Sequence, residues 1–212
     1  MTKQTEKPEE LDKIIAELEE KCVELPNNVV AHHHLALVYR KAGRIDDAIR
    51  ELEKCLELDD HAVEAHINLG AIHFERGDLE KALAANRRAI RVLPELARAH
   101  ANIGLIMQQL GDSEQAVAAY EEALRHDPKL VNAWVNMATS QIAAGNFDLA
   151  AKAAKEAIKL DPEFGMAHNN LAVAHFYLEQ YREAKEAAGK ARELGYQVDS
   201  RFLQAIDHEL SS

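Results

Sequence analysis

The chain has 212 residues, 47% of them apolar, and a formal net charge of −11 from 25 basic and 36 acidic side chains. That apolar share is enough to bury a core within one domain, while the acidic excess opposes phosphate backbones and anionic membrane surfaces. No run approaches the roughly 20 apolar residues that cross a bilayer, and Met1 to Leu25 is charged where a signal segment would be apolar. The expected partner is therefore protein or peptide, with no nucleic acid and no membrane, and the expected location is cytoplasmic.

In chain order, residues 1–8 read as a disordered N-terminus. Residues 9–28 follow as an amphipathic helix, since Leu11, Ile14, Ile15, Leu18, Cys22 and Leu25 recur at helical spacing and Pro26 closes the run. A 34-residue step then organises everything up to residue 198. His32, His66, His100, Trp134 and His168 fall on it, as do the apolar column Leu35, Leu69, Ile103, Met137, Leu171 and its small neighbours Ala36, Gly70, Gly104, Ala138, Ala172. Gly43, Gly77, Gly111 and Gly145 form a turn column that ends a first helix in the left-handed conformation; the fifth copy carries Glu179 there. Second helices carry Ala48, Ala82, Ala116, Ala150 and Ala184 in register, and Pro94, Pro128 and Pro162 stop three of them. Five units result, at residues 29–62, 63–96, 97–130, 131–164 and 165–198. The remaining 199–212 reads as a capping helix, because Val198, Phe202, Ile206 and Leu210 recur every four residues and a repeat stack must cover its last apolar face.

The step and its columns, carried in "AHINLGAIHFERGDLEKALAANRRAIRVLP" and its echoes, resemble tetratricopeptide repeats. The resemblance implies an all-α, right-handed solenoid of helix-turn-helix hairpins. It also implies a non-enzymatic adaptor that holds a peptide or helical segment of a partner in its concave groove.

Projecting the first helices puts the column His34, Asn68, Asn102, Asn136 and Asn170 on the inner wall, where amides supply both donors and acceptors to a peptide backbone. The column resembles the asparagine ladder in the repeat region of O-linked N-acetylglucosamine transferase, which implies a mode of peptide binding and not glycosyl transfer. Flanking it are Ile67, Phe74, Leu105, Val135, Ile142, Val173, Phe176 and Tyr177, a largely apolar wall that suits an amphipathic helix or an extended segment. The chaperone-tail branch of the family needs a set of basic residues that is incomplete here, since Arg98 is present but His33, Leu37 and Asn102 occupy the other corresponding places, so binding of chaperone tails is not expected.

No nucleophile motif, phosphate loop or cofactor fingerprint occurs, so no enzyme activity and no cofactor are expected. Consecutive His32, His33 and His34 diverge by about 100° each on a helix, and Cys22 and Cys55 lack a CxxC spacing, so neither a metal nor a disulfide framework is expected. The alternatives to a peptide-binding adaptor are a structural subunit of a larger assembly and, third, a self-associating scaffold whose apolar end meets a second copy.

Overall fold

A computed structural model of the chain describes residues 8–211. All regular structure among them is helical, and it divides into two compact units, up to Pro94 and from Glu95 onward. The first holds α1 (Pro8–Glu24), α2 (Val29–Lys41), α3 (Ile45–Leu58), α4 (Val63–Glu75) and α5 (Leu79–Val92). The second holds α6 (Ala97–Gln109), α7 (Ser113–His126), α8 (Val131–Ala143), α9 (Phe147–Leu160), α10 (Gly165–Tyr177), α11 (Tyr181–Glu193) and α12 (Ser200–Ser211). Within each unit the helices pair as hairpins, α2 with α3 and α4 with α5, then α6 with α7, α8 with α9 and α10 with α11.

Each hairpin turn is built from two backbone bonds. Gly43 N–H donates to Arg40 O at 3.1 Å and Arg44 N–H to Tyr39 O at 2.9 Å, the pattern that satisfies the last carbonyls of a helix when the residue between has positive φ. Gly43 has φ 76°, and Glu179 takes the same conformation at φ 61°, with Glu179 N–H on Phe176 O and Gln180 N–H on His175 O. The fifth turn is thus as tight as the others, at a steric cost that glycine avoids.

Two further columns set the entry to each first helix. Asp59, Asp127 and Asp161 end second helices in extended backbone and accept the N–H two residues on, so an aspartate works beside the proline stop. In the hairpin that lacks that proline, Asp59 makes the turn alone. The ring column ties the same loops down: His32, His66 and His168 Nε2 and Trp134 Nε1 each contact the carbonyl six residues earlier, at 2.9 to 3.0 Å. Indole can only donate, so the histidines in the same place are read as Nε2–H tautomers.

Small residues let the two helices of a hairpin touch, and their partners are matched in size. Gly104 lies against the ring of fully buried Tyr120, and Gly70 against Asn86. Sixteen residues after the alanines at 36, 138 and 172 come Leu52, Ala154 and Ala188.

The end helices are covered as well. In the first unit Ile15 of α1 joins the buried cluster of Leu35, Ala36, Tyr39, Leu52 and Cys55, with Leu18 and Cys22 packed on it. In the second, Ile206 of α12 is buried among Ala172, Ala184 and Ala188, with Phe202 and Leu203 beside it. Leu210, expected on that apolar face, is instead exposed, and Leu203 packs there. The expected loose segment 1–8 lies outside the described residues apart from Pro8, which opens α1; Ser211 belongs to α12 and donates to Asp207 O.

Candidate functional site

The asparagine column is a set of helix-to-helix ties before it is anything else. In the first unit Asn68 of α4 donates through Nδ2 to His33 Nε2 on α2 at 2.9 Å. Burial, with His34 alongside, pushes the His33 imidazole below its ordinary value, so a neutral ring with a free lone pair accepts that bond. One amide N–H and the carbonyl oxygen of Asn68 are then left. In the second unit Asn136 bonds the phenol of Tyr120, whose hydroxyl donates to Gln108 Oε1 at 3.1 Å. Asn170 of α10 spends its amide on α8, to Val135 O at 3.0 Å and Thr139 Oγ1 at 2.9 Å.

Burial divides the flanking residues. Ile67 is 4% exposed, Val135 1% and Asn170 6%, so these three, expected to line a groove, are core. For Val135 and Asn170 the cause is that α8 packs against α10, and Asn170 bonds the α8 carbonyl of Val135 directly. Phe176 meets Phe202 of α12 edge to face at 5.4 Å and belongs to the cover of the last hairpin. What stays accessible in the second unit is Asn102, Leu105, Asn136, Ile142 and Val173, all half-buried, and Tyr177, 56% exposed and stacked on Phe147 at 4.4 Å. In the first unit it is half-buried Asn68 and Phe74 and exposed His34.

Two depressions lie apart from most of that column. One of about 460 Å³ is lined by Leu124, Trp134, Met137, Leu149 and Ala153, with Glu121, Arg125, Lys152 and Glu156 also lining it. It is built from α7, α8 and α9 and shares no residue with the asparagine column. The other, about 450 Å³, lies between α1 and α2 and includes His34 with Ile14, Leu18, Leu37 and Val38.

Sequence spacing gave no sign of a third cluster. Cys22, His32 and Glu51, from α1, α2 and α3, bring a thiol, an imidazole and a carboxylate within 4.8 Å of one another. Separations of 10 and 19 residues match no ligand motif.

Hairpins repeated every 34 residues, each closed by a left-handed turn and sealed by a small-residue contact, define a helical repeat protein. Models of the tetratricopeptide repeat match residues 27–95, 97–130 and 135–184, most of the chain, and the chain belongs to that family. No curated protein matches the sequence. Solved structures similar in fold include MamA, at 23% identity and TM-score 0.70 over 74% of this chain and 92% of that one. YrrB, described as a TPR protein with an unusual peptide-binding site, is 19% identical with TM-score 0.75 over 90% and 97%. MamA from Desulfovibrio magneticus RS-1, residues 41 to the end, is 17% identical with TM-score 0.73 over 79% and 94%. At these identities the likeness is one of fold. No helix among the described residues is long and apolar enough to cross a membrane.

Proposed function

We propose that the chain is a non-catalytic protein-interaction scaffold whose first helices hold a segment of a partner protein. The observation that carries this is the set of apolar and amide side chains that α6, α8 and α10 leave accessible: Asn102, Leu105, Asn136, Ile142, Val173 and Tyr177. In the first unit His34, Asn68 and Phe74 play the same part. Apolar side chains supply burial and the asparagine carbonyls accept backbone N–H groups, a division of labour suited to a peptide. The peptide-binding site of YrrB supports the reading by likeness of fold. A peptide library selected against the purified chain tests it. Selected peptides should lose at least about tenfold in affinity against Ile142→Asp and Val173→Asp, each of which sets a charge against an apolar contact. Failure to select peptides, or peptides indifferent to both changes, defeats the reading.

The depression around Trp134 favours a second reading, in which the chain is a subunit of a larger assembly and the second helices make the contact. Trp134 is the only tryptophan, so its fluorescence reports on that depression. A partner that alters Trp134 emission and is lost with Trp134→Ala, while tolerating Ile142→Asp, selects the second reading. Sedimentation at several concentrations separates both from self-association.

A further inference from the structure

The internal repeats serve as the comparison for the Cys22, His32 and Glu51 cluster. Glu51 occupies a place in α3 where every later second helix has alanine, at Ala85, Ala119, Ala153 and Ala187. Counting the same 34-residue step back into α1, Cys22 stands where the helices preceding the rings at 66, 100, 134 and 168 carry Leu56, Ile90, Leu124 and Ile158. Around one ring of the common column, the first unit alone has replaced an aliphatic side chain with a thiol and a methyl group with a carboxylate. Glu51 is mostly buried, and a carboxylate taken from water needs a counter-group.

Hydrogen bonding at His32 shows what that counter-group is now. Its Nε2 donates to Pro26 O at 3.0 Å, as the equivalent indole N–H of Trp134 does to Pro128 O. Its Nδ1 lies 2.6 Å from Glu51 Oε2, a separation that requires a proton between them. The ring is thereby fixed with Nδ1 aimed at the carboxylate, and the Cys22 sulfur lies within 4.8 Å of a ligand atom of each. A histidine that binds a metal through one nitrogen characteristically donates its other N–H to a carbonyl, which sets ring orientation and basicity; Pro26 O provides that partner.

We propose that Cys22 Sγ, His32 Nδ1 and Glu51 form a site for one divalent cation of the zinc class. Thiolate, imidazole and carboxylate together suit zinc or cobalt, while calcium and magnesium prefer all-oxygen ligands. Three protein ligands leave the fourth tetrahedral position to water. The exchange balances: the cation enters as two protons leave, the one between His32 and Glu51 and the one on the Cys22 thiol. The cluster is neutral with two protons and neutral with the metal, so loading it buries no net charge. One ligand comes from each of α1, α2 and α3, so the cation clamps α1 to the first hairpin. Cys55 is not a ligand; its thiol donates to Val29 O at 3.4 Å.

The test uses the full chain purified without an affinity tag, stripped with chelator and titrated with Co2+ alone. One equivalent should bind and produce thiolate-to-cobalt charge-transfer absorption, and Zn2+ should displace it. Removing a hydrogen-bond partner of a metal ligand commonly weakens binding about 10- to 100-fold, so losing a ligand outright in Cys22→Ser should cost at least about 100-fold and abolish the band. Glu51→Ala restores the residue of the other repeats and should lose binding with full helicity by circular dichroism. Cys55→Ser should keep the band. The proposal is overturned by any of these: no stoichiometric Co2+, a band that survives Cys22→Ser or disappears with Cys55→Ser, or cobalt held by histidines without thiolate absorption.

Discussion

Gly104→Ala tests whether hairpin stability depends on the size match inside each helix pair. A Cβ at Gly104 would stand 2.6 Å from Cε1, 2.7 Å from Cζ and 2.8 Å from Cδ1 of Tyr120. Carbon pairs rest at about 3.5 to 4.0 Å, so the ring would have to retreat by roughly 0.8 Å. It has nowhere easy to go, being fully buried with its hydroxyl on Gln108 and bonded by Asn136. Overpacking of this kind costs about 1 to 3 kcal/mol, and replacing glycine by alanine in a helix returns about 1, for a net loss of up to about 2. Adding Tyr120→Leu reproduces the Ala36 and Leu52 pair of the first hairpin and should relieve the clash. The two substitutions should therefore be coupled by about 1 kcal/mol or more. Urea unfolding followed by far-ultraviolet circular dichroism measures all three variants. A Gly104→Ala chain more stable than the parent, or one whose stability Tyr120→Leu fails to restore, would refute the reasoning, because helix propensity would then outweigh the contact.

Glu179→Gly should stabilise the chain by about 0.5 to 1 kcal/mol in the same assay, since the left-handed conformation costs a side chain about 1 to 2 and glycine's extra freedom in the unfolded chain takes part of that back. Ile206→Ala should cost about 2 to 5 kcal/mol by emptying the site α12 fills over Ala172 and Ala188, and size-exclusion chromatography should show increased association through the uncovered face. Burial pushes the Cys55 thiol up to about 11, helped by the charge of Glu51, so thiol reagents at pH 8 should leave Cys55 unmodified in native protein and label it after unfolding, as read by mass spectrometry. Because folding raises that pKa, the stability it contributes is intact below the ordinary thiol value near 9 and declines as pH rises toward about 11.

Most of the architecture was legible because five copies of one pattern constrain each other: the turn glycines, the small column and the proline stops all announce a hairpin. The candidate site was less legible, for a reason visible at Asn170. Helical spacing assigns a residue to a face but not to a depth, and a polar residue on the correct face can still be consumed by the neighbouring helix, as Val135 O and Thr139 consume that amide. Ile67 and Val135 sank for the same reason, close packing that no single repeat encodes. Phe176 was claimed by Phe202, about three quarters of a repeat length further along the chain. The cluster of Cys22, His32 and Glu51 was hidden by a different fact: its members sit on three helices, and only the column alanines, viewed as the rule that Glu51 breaks, could have drawn attention to it.

The paired sizes between first and second helices also govern how such a chain can lengthen or shorten during its history. Removing residues 131–164 takes out α8 and α9 together and leaves Tyr120 still facing Gly104 and Ala188 still placed against Ala172. Removing the equally long stretch 112–145 would join α6 to α9, and Gly104 would then face Ala154 across the gap a tyrosine ring had filled. Both deletions keep the 34-residue reading frame, yet only the first respects the joints. The hairpin, and not the repeat length, is the unit of exchange.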